Sequence, residues 1–237
     1  MIILGIETST AQVACAVGGS EGVMAAFEAG PGTPLPGRTR ATLRHAEVLA
    51  PAIKFICRQA RLELKEIGAV AVDVGPGMFT GVRVGVATGK ALAQALRVPM
   101  VGLGSLDLLA FGVRHADRMV AAVLDARRDE VYVALYRPVP AGMQRITEPR
   151  MCGPDDLAAE LMARGEDILA VGDGAVRYAS MLRRLGDVEV DTTHPFPSAA
   201  SLVNLAHSQA VREEFVQPWE INPIYLRPAV TREREAG

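Results

Sequence analysis

Aromatic side chains make up only 5% of the 237 residues, with a single tryptophan, so the interior has to be built from Ala, Val, Leu and Gly. That supply is ample. Hydrophobic residues are 49% of the chain and charged residues 22%, the balance of a globular protein with one large domain or two small lobes. Cysteine is scarce as well: Cys15, Cys57 and Cys152 are far apart and no CxxC occurs, which argues against a disulfide framework and for a reduced compartment. Neither sign of charge dominates. A formal net charge of −2 argues against a general polyanion binder, so any contact with nucleic acid has to come from a local basic patch or a partner. No apolar run approaches the roughly 18 residues of a spanning helix, and the opening MIILGIETST lacks a basic leader region. A cytoplasmic protein without a membrane partner is expected. The four histidines, His45, His115, His194 and His207, show no metal-ligand spacing, and neither HExxH nor GxSxG is present. A chain without such a set points to a binding or scaffold protein.

What is present is a repeated pattern. Residues 2–7 (IILGIE) read as a buried strand ending at the turn Glu7-Thr8-Ser9-Thr10, followed by strands at Val13–Val17 and Val23–Phe27. A Pro/Gly-rich loop, 30–40, leads to a helix over 42–60 with Thr42 as N-cap. Its apolar residues Ala46, Leu49, Ala50, Ile53, Ile56, Cys57 and Ala60 follow helical spacing, and Val48, Ala52 and Phe55 add a second strip. Strand Ala69–Val74, a glycine turn, a helix over 80–96 and strand Met100–Leu103 form a parallel crossover. From Met119 the pattern restarts: strand, Asp125, polar turn, strand Glu130–Tyr136, and later strand, Gly172-Asp173-Gly174, helix. This is an α/β chain with two copies of one lobe, 1–108 and 109–237, joined near residues 104–118.

The strongest local signal is VDVGPGMFTGVRVGVATGKALA, residues 72–93. A glycine turn between strand and helix exposes N–H groups at the positive helix end, where anions are held. The segment matches neither the P-loop nor the dinucleotide fingerprint. Gly77, Gly81, Gly85 and Gly89 fall at every fourth position. Three lie within the helix, a penalty of roughly 2–3 kcal/mol against Ala that close approach of another backbone must offset. That approach is either internal packing on a sheet or, on another side of the helix, a meeting of Val82, Val86 and Ala93 with a second chain. Glu7 and Asp125 are candidates for binding a metal-nucleotide or for capping turns; Asp173 reads as a turn residue. Glu7, Thr8, Ser9, Gly75 and Gly77 are the residues available for a nucleotide or anion contact. In the tail, Trp219, Ile224, Tyr225 and Leu226 are candidates for clipping onto the second lobe. Arg227, Arg232 and Arg234, with Arg127 and Arg128, form either a basic patch for nucleic acid or solvated surface charge.

ILGIETST at the start, RHAEVLAPAI at 44–53, GPGMFTGVRVG at 75–85, VPMVGLGSLDLLA at 98–110, LDARRDEVYVALY at 124–136 and INPIYLRP at 221–228 run in order over nearly the whole chain. Together they resemble the TsaB (YeaZ) family of tRNA threonylcarbamoyladenosine biosynthesis subunits. The resemblance implies an actin-like, sugar-kinase-type fold of two related lobes with mixed sheets flanked by helices. It also implies a role in transferring a threonylcarbamoyl group to N6 of the adenosine beside the tRNA anticodon. In that family a paralogous subunit, TsaD, carries out the transfer; TsaB pairs with it, recruits the ATPase TsaE, and pairs with itself when alone.

The paralogue carries metal-binding histidines where this chain has Gly104-Ser105-Leu106-Asp107-Leu108. The resemblance thus implies a non-catalytic subunit that holds no metal or cofactor of its own, meets ATP or ADP only at the shared interface, and reaches tRNA through the complex. The family usually has Asp at the position of Glu7, and its loop at 30–40 is usually shorter. The helices 42–60 and 80–97 would form the pairing face, with Leu49, Ile53, Ile56, Val82, Val86 and Ala93 as its contact residues, burying about 1,600 Å² in total. The alternatives are a stand-alone ATPase or metallopeptidase, and a carbohydrate kinase, which would need an acidic base in the cleft between the lobes.

Overall fold

The computed structural model describes residues 1–31, 45–140 and 142–226. Residues 32–40 of the Pro/Gly stretch, the N-cap at Thr42, and Arg227, Arg232 and Arg234 lie outside the described residues.

The apolar run Ile2–Glu7 (β1) forms the middle of a five-stranded sheet, since a strand covered on both faces needs uninterrupted hydrophobic residues. β1 pairs antiparallel with β2 (Val13–Gly19), and β2 with β3 (Gly22–Ala29), whose outer position leaves alternate residues exposed. After α1 (His45–Gln59), β4 (Ile67–Asp73) lies parallel to β1. α2 (Phe79–Leu96) then crosses to β5 (Met100–Leu103), parallel to β4. α1 and α2 cover one face of this sheet, on Leu4, Ile6, Val13, Cys15, Val70 and Val72.

α3 (Ser105–Gly112) leads into the second sheet. β6 (Met119–Arg127), β7 (Glu130–Val139) and β8 (Gly142–Arg145) make an antiparallel meander, with β9 (Arg150–Cys152) also on β7. α4 (Pro154–Arg164) precedes β10 (Ile168–Val171), which is parallel to β6. α5 (Asp173–Arg177) and α6 (Ala179–Leu182) precede β11 (Val188–Val190), parallel to β10. The two sheets have the same plan, β3-β2-β1-β4-β5 and β8-β7-β6-β10-β11. This is the duplicated two-lobe, actin-like fold, with mixed sheets flanked by helices.

The lobes exchange helices. α7 (Ala199–Val211), late in the chain, packs back on the first sheet against Ile3, Ala69 and Ala71 on one side and Ala14 and Ala16 on the other. α3 covers the facing side of the second sheet through Leu106, Leu109 and Ala110. α3 and α7 touch each other. The layers therefore run α1/α2, first sheet, α7 and α3, second sheet, α4 to α6. A single cut at residue 108 separates the two sheets, but it falls inside α3 and assigns α7 to the lobe whose sheet it does not cover.

Candidate functional site

The strand ends and the glycine turn come together at the C-terminal edge of the first sheet. Parallel pairing of β1 with β4 (Ile6 opposite Val72) brings Glu7 beside Asp73, the partner that a residue-by-residue reading missed. Both side chains turn inward. Ser9 donates its N–H and Oγ–H to Glu7 Oε1 at 2.6 and 2.5 Å. Asp73 Oδ1 accepts from Gly75 N at 2.7 Å and from Ser105 Oγ at 2.6 Å. Glu7 is 0% exposed and Asp73 1%, and Glu7 Oε2 and Asp73 Oδ2 have no hydrogen-bond partner among the described residues. Burial, and then the neighbouring Asp73 charge, push the Glu7 carboxyl well above the usual range. Burial raises Asp73 as well, against the hydrogen bonds from Ser105 and Gly75. Among the described residues no cation stands beside these two buried carboxyls, which favours a proton shared between them over ionisation of both.

The four glycines hold α2 against this edge. A Cβ on Gly77 would meet the Ser9 carbonyl, on Gly81 the Thr8 carbonyl, on Gly85 the Thr8 hydroxyl and on Gly89 Val72. Thr8 Oγ1 donates to the Gly81 carbonyl at 2.8 Å, and Met78 N to the Ser9 carbonyl at 2.6 Å. Gly75 turns the chain at φ 98°, a conformation a side chain would strain. The close backbone approach demanded by the glycine spacing is thus to the chain's own β1–β2 turn and β4. Glu7, Thr8, Ser9, Gly75 and Gly77 do meet, but they are bonded to one another and to α2. They do not offer a carboxylate to solvent.

The six residues expected to contact a partner face the other way. Leu49, Ile53, Ile56, Val82, Val86 and Ala93 are all under 5% exposed and belong to the first lobe's core. This corrects the expected pairing face: helical periodicity marks the apolar side, and here the sheet covers it. Val48 and Ala52 of the second strip are buried too, whereas Phe55 is exposed and meets Phe27 edge-on with ring centroids 6.4 Å apart. The sides of the helices that look outward carry Ala46, Ala50, Pro51 and Lys54 on α1 and Thr80, Arg83, Ala87, Ala91 and Ala95 on α2. His45 fastens the start of α1, its Nε2 lying 2.8 Å from the Thr10 carbonyl.

The second lobe repeats the acidic strand ends. Asp125 accepts from Arg127 N at 2.8 Å and pairs with Arg127 and Arg177 at 3.2 and 2.9 Å. Asp173 accepts from Asp125 N at 2.9 Å, and burial pushes its carboxyl up to about 6. Asp125 closes the turn to Arg127, and Asp173 ties the start of α5 to the end of β6. The segment Gly104–Leu108 opens α3. There Ser105 is tied to Asp73, and Asp107 accepts from Tyr136 Oη (2.9 Å) and takes the Arg145 guanidinium on both oxygens (2.8 and 2.6 Å). Among the described residues, no three His, Cys, Asp or Glu side chains converge as a metal site.

The tail does not clip mainly onto the second lobe, as expected. Ile221 is buried in the first lobe's core, and Ile224 N donates to the Val74 carbonyl at 2.7 Å. Tyr225 packs on Phe79 and accepts from Arg83 Nε at 2.8 Å. Leu226 reaches the cluster shared by α3 and the second sheet, and Trp219 is left exposed. Backbone hydrogen bonding to Val74, just past β4, and to Met100 of β5 holds the tail there, and it is invisible in residue types.

A family model described as "TsaD: tRNA N6-adenosine threonylcarbamoyltransferase" matches residues 39–182. The "tRNA threonylcarbamoyladenosine biosynthesis protein TsaB" of Escherichia coli (strain K12) is 28% identical, over 100% of this chain and 99% of that one. The TsaB of Haemophilus influenzae is 28% identical, over 81% of this chain and 84% of the relative. A Pseudomonas aeruginosa crystal structure described as "an uncharacterized protein with similarity to peptidase YEAZ" superposes with a TM-score of 0.80 at 27% identity, over 95% of this chain and 99% of that one. The matched segment contains both β4–α2 with its glycines and the restart of the pattern at β6, the parts that carry the duplicated fold. The chain belongs to the tRNA N6-adenosine threonylcarbamoyltransferase family and, within it, to the TsaB (YeaZ) proteins of tRNA threonylcarbamoyladenosine biosynthesis.

Proposed function

We propose that this chain is the non-catalytic pairing subunit of the complex that places a threonylcarbamoyl group on N6 of the adenosine beside the tRNA anticodon. It works through a catalytic TsaD paralogue, recruits the ATPase TsaE, and pairs with itself in their absence. ATP or ADP is met only where the subunits join. The observation that supports this reading is the contrast between two surfaces of the first lobe. The strand-end carboxylates are turned inward and share their hydrogen bonds with Ser9, Gly75 and Ser105. The outward sides of α1 and α2 instead present Ala46, Ala50, Ala87, Ala91 and Ala95. Alanine sides lose little side-chain entropy on burial and let helices approach to about 8–10 Å between axes. Two such helices per subunit suit a face of about 1,600 Å² in total.

The test is co-expression with the paralogue, reading co-purification and the modified nucleoside. A Val86→Asp exchange is unsuitable, because at 4% exposure a carboxylate there would unfold the lobe. Ala91→Arg places a long charged side chain on the exposed side and leaves the core intact. It is expected to reduce pairing at least tenfold with unchanged thermal stability. Pairing of Ala91→Arg at wild-type strength would sink the proposal.

A further inference from the structure

A groove of about 780 Å³ lies where α2 ends, and its walls include Lys90, Gln94, Arg97, Phe215, Gln217 and Trp219. It is a built feature rather than a gap beside a loose end. Met100 and Val216 exchange two backbone hydrogen bonds, each 2.9 Å, fastening the incoming segment beside β5. Beyond them a tight turn closes: Glu220 N donates to the Gln217 carbonyl at 2.9 Å, and Glu220 Oε2 accepts from Gln217 N at 2.6 Å. Ile221, 5% exposed, anchors the far side in the core. On this pinned turn stands Trp219, 73% exposed and the only tryptophan of the chain. A protein with so few aromatics leaves its largest one in water.

The groove's charge says what covers the indole. Arg97 caps α2 in the left-handed conformation, φ 57°, and its side chain is exposed past the helix end. Neither Arg97 nor Lys90 has an acidic partner among the described residues, and no carboxylate lines the groove. The adjacent acid, Glu220, is turned to its own backbone turn. Two unpaired cations call for an anion, an exposed indole for a flat ring, and the amides of Gln94 and Gln217 can both donate and accept at a base edge. Stacking platform, cations for the backbone and sequence-tolerant amides together are the elements of single-strand nucleic-acid binding. They also form the kind of local basic patch that a net charge of −2 requires of any nucleic-acid contact.

We infer that this groove binds an unpaired nucleotide of the RNA substrate, its base stacked on Trp219 and its phosphates held by Lys90 and Arg97. This deepens the proposed role in tRNA modification and rests on it, giving the subunit a direct contact where only an indirect one was expected. Because Trp219 is the only tryptophan, its fluorescence reports the site. The full chain is titrated with an unmodified tRNA transcript, a single-stranded RNA of about eight nucleotides, a duplex of equal length, and AMP. Saturable quenching by tRNA and the single strand is expected, with little from the duplex. Two phosphates predict that log K falls against log salt with a slope of about −1.4. By anisotropy of labelled RNA, Trp219→Leu and the double exchange Lys90→Gln/Arg97→Gln should each weaken binding about tenfold, and only the latter should flatten the salt slope.

Unchanged RNA affinity in Trp219→Leu overturns the inference. So does AMP quenching as tightly as RNA, which would mark a mononucleotide pocket. Loss of paralogue co-purification in Trp219→Leu would make the groove a protein contact and overturn it too. Retained RNA quenching alongside failed pairing in the wild-type chain would instead refute the scaffold reading and leave the groove standing.

Discussion

Gly81→Ala sets two physical effects against each other. In an isolated helix Ala is favoured over Gly by about 1 kcal/mol, so α2 considered alone would be stabilised. In the folded chain the new methyl would stand within 3.0 Å of the Thr8 carbonyl oxygen, closer than such contacts occur. That oxygen belongs to backbone pinned between β1 and β2 and cannot swing aside as a flexible side chain would. α2 must shift, giving up the Thr8–Gly81 hydrogen bond, worth about 1 kcal/mol, and incurring overpacking of roughly 1–3 kcal/mol. The clash exceeds the propensity gain, and the net loss is about 1–3 kcal/mol, or very roughly 2–12 °C in Tm for a chain of this size. Urea and thermal unfolding of the purified protein measure it. A Gly81→Ala protein more stable than wild type would show that helix propensity, not close packing on Thr8, governs this position.

Two further outcomes concern the buried carboxyls and the Asp107–Arg145 pair. Glu7 and Asp73 have folded pKa values raised above their ordinary ones, so the folded chain keeps a proton that the unfolded chain releases. Their contribution to stability is full below about pH 4 and declines as pH rises through the folded values. Glu7→Gln mimics the protonated acid, keeps an oxygen for Ser9, and should flatten the decline in Tm as pH rises above about 4 while raising stability at neutral pH; an unaltered slope would refute the shared proton. Asp107→Asn removes the charge that Arg145 grips with both Nη2 contacts. A loss of about 1 kcal/mol is expected for this partly exposed pair, with faster amide exchange across α3, and unchanged exchange there would discount Asp107 as the link to β8.

Some features of this protein are local, and residue order determines them. IILGIE and AVAVDV read as central strands because burial on both faces leaves no place for a polar residue until the strand ends. The restart at Met119 shows because the same strand, acid, turn, strand order recurs. The spacing of Gly77, Gly81, Gly85 and Gly89 required a backbone close to α2. Other elements escaped notice. α3, α4 and α7 carry weak or mixed periodicity, and α7 is apolar on several sides because both its neighbours, the first sheet and α3, bury it.

What covers each face was decided by the tertiary structure. Periodicity identifies Leu49, Ile53, Ile56, Val82, Val86 and Ala93 as an apolar side but is silent on whether a sheet or a second chain lies over it. The packing of α1 on β2 and of α2 on β4 assigns them to the core and turns Ala87 and Ala91 outward. Glu7 reads as a turn residue standing alone and Asp73 does not stand out at all, because the interaction between them depends on the parallel register of β1 and β4. Sequence carries a residue's chemistry and its spacing along one element. Whether a carboxylate meets water, another carboxylate or a ligand depends on which strand end folds beside it.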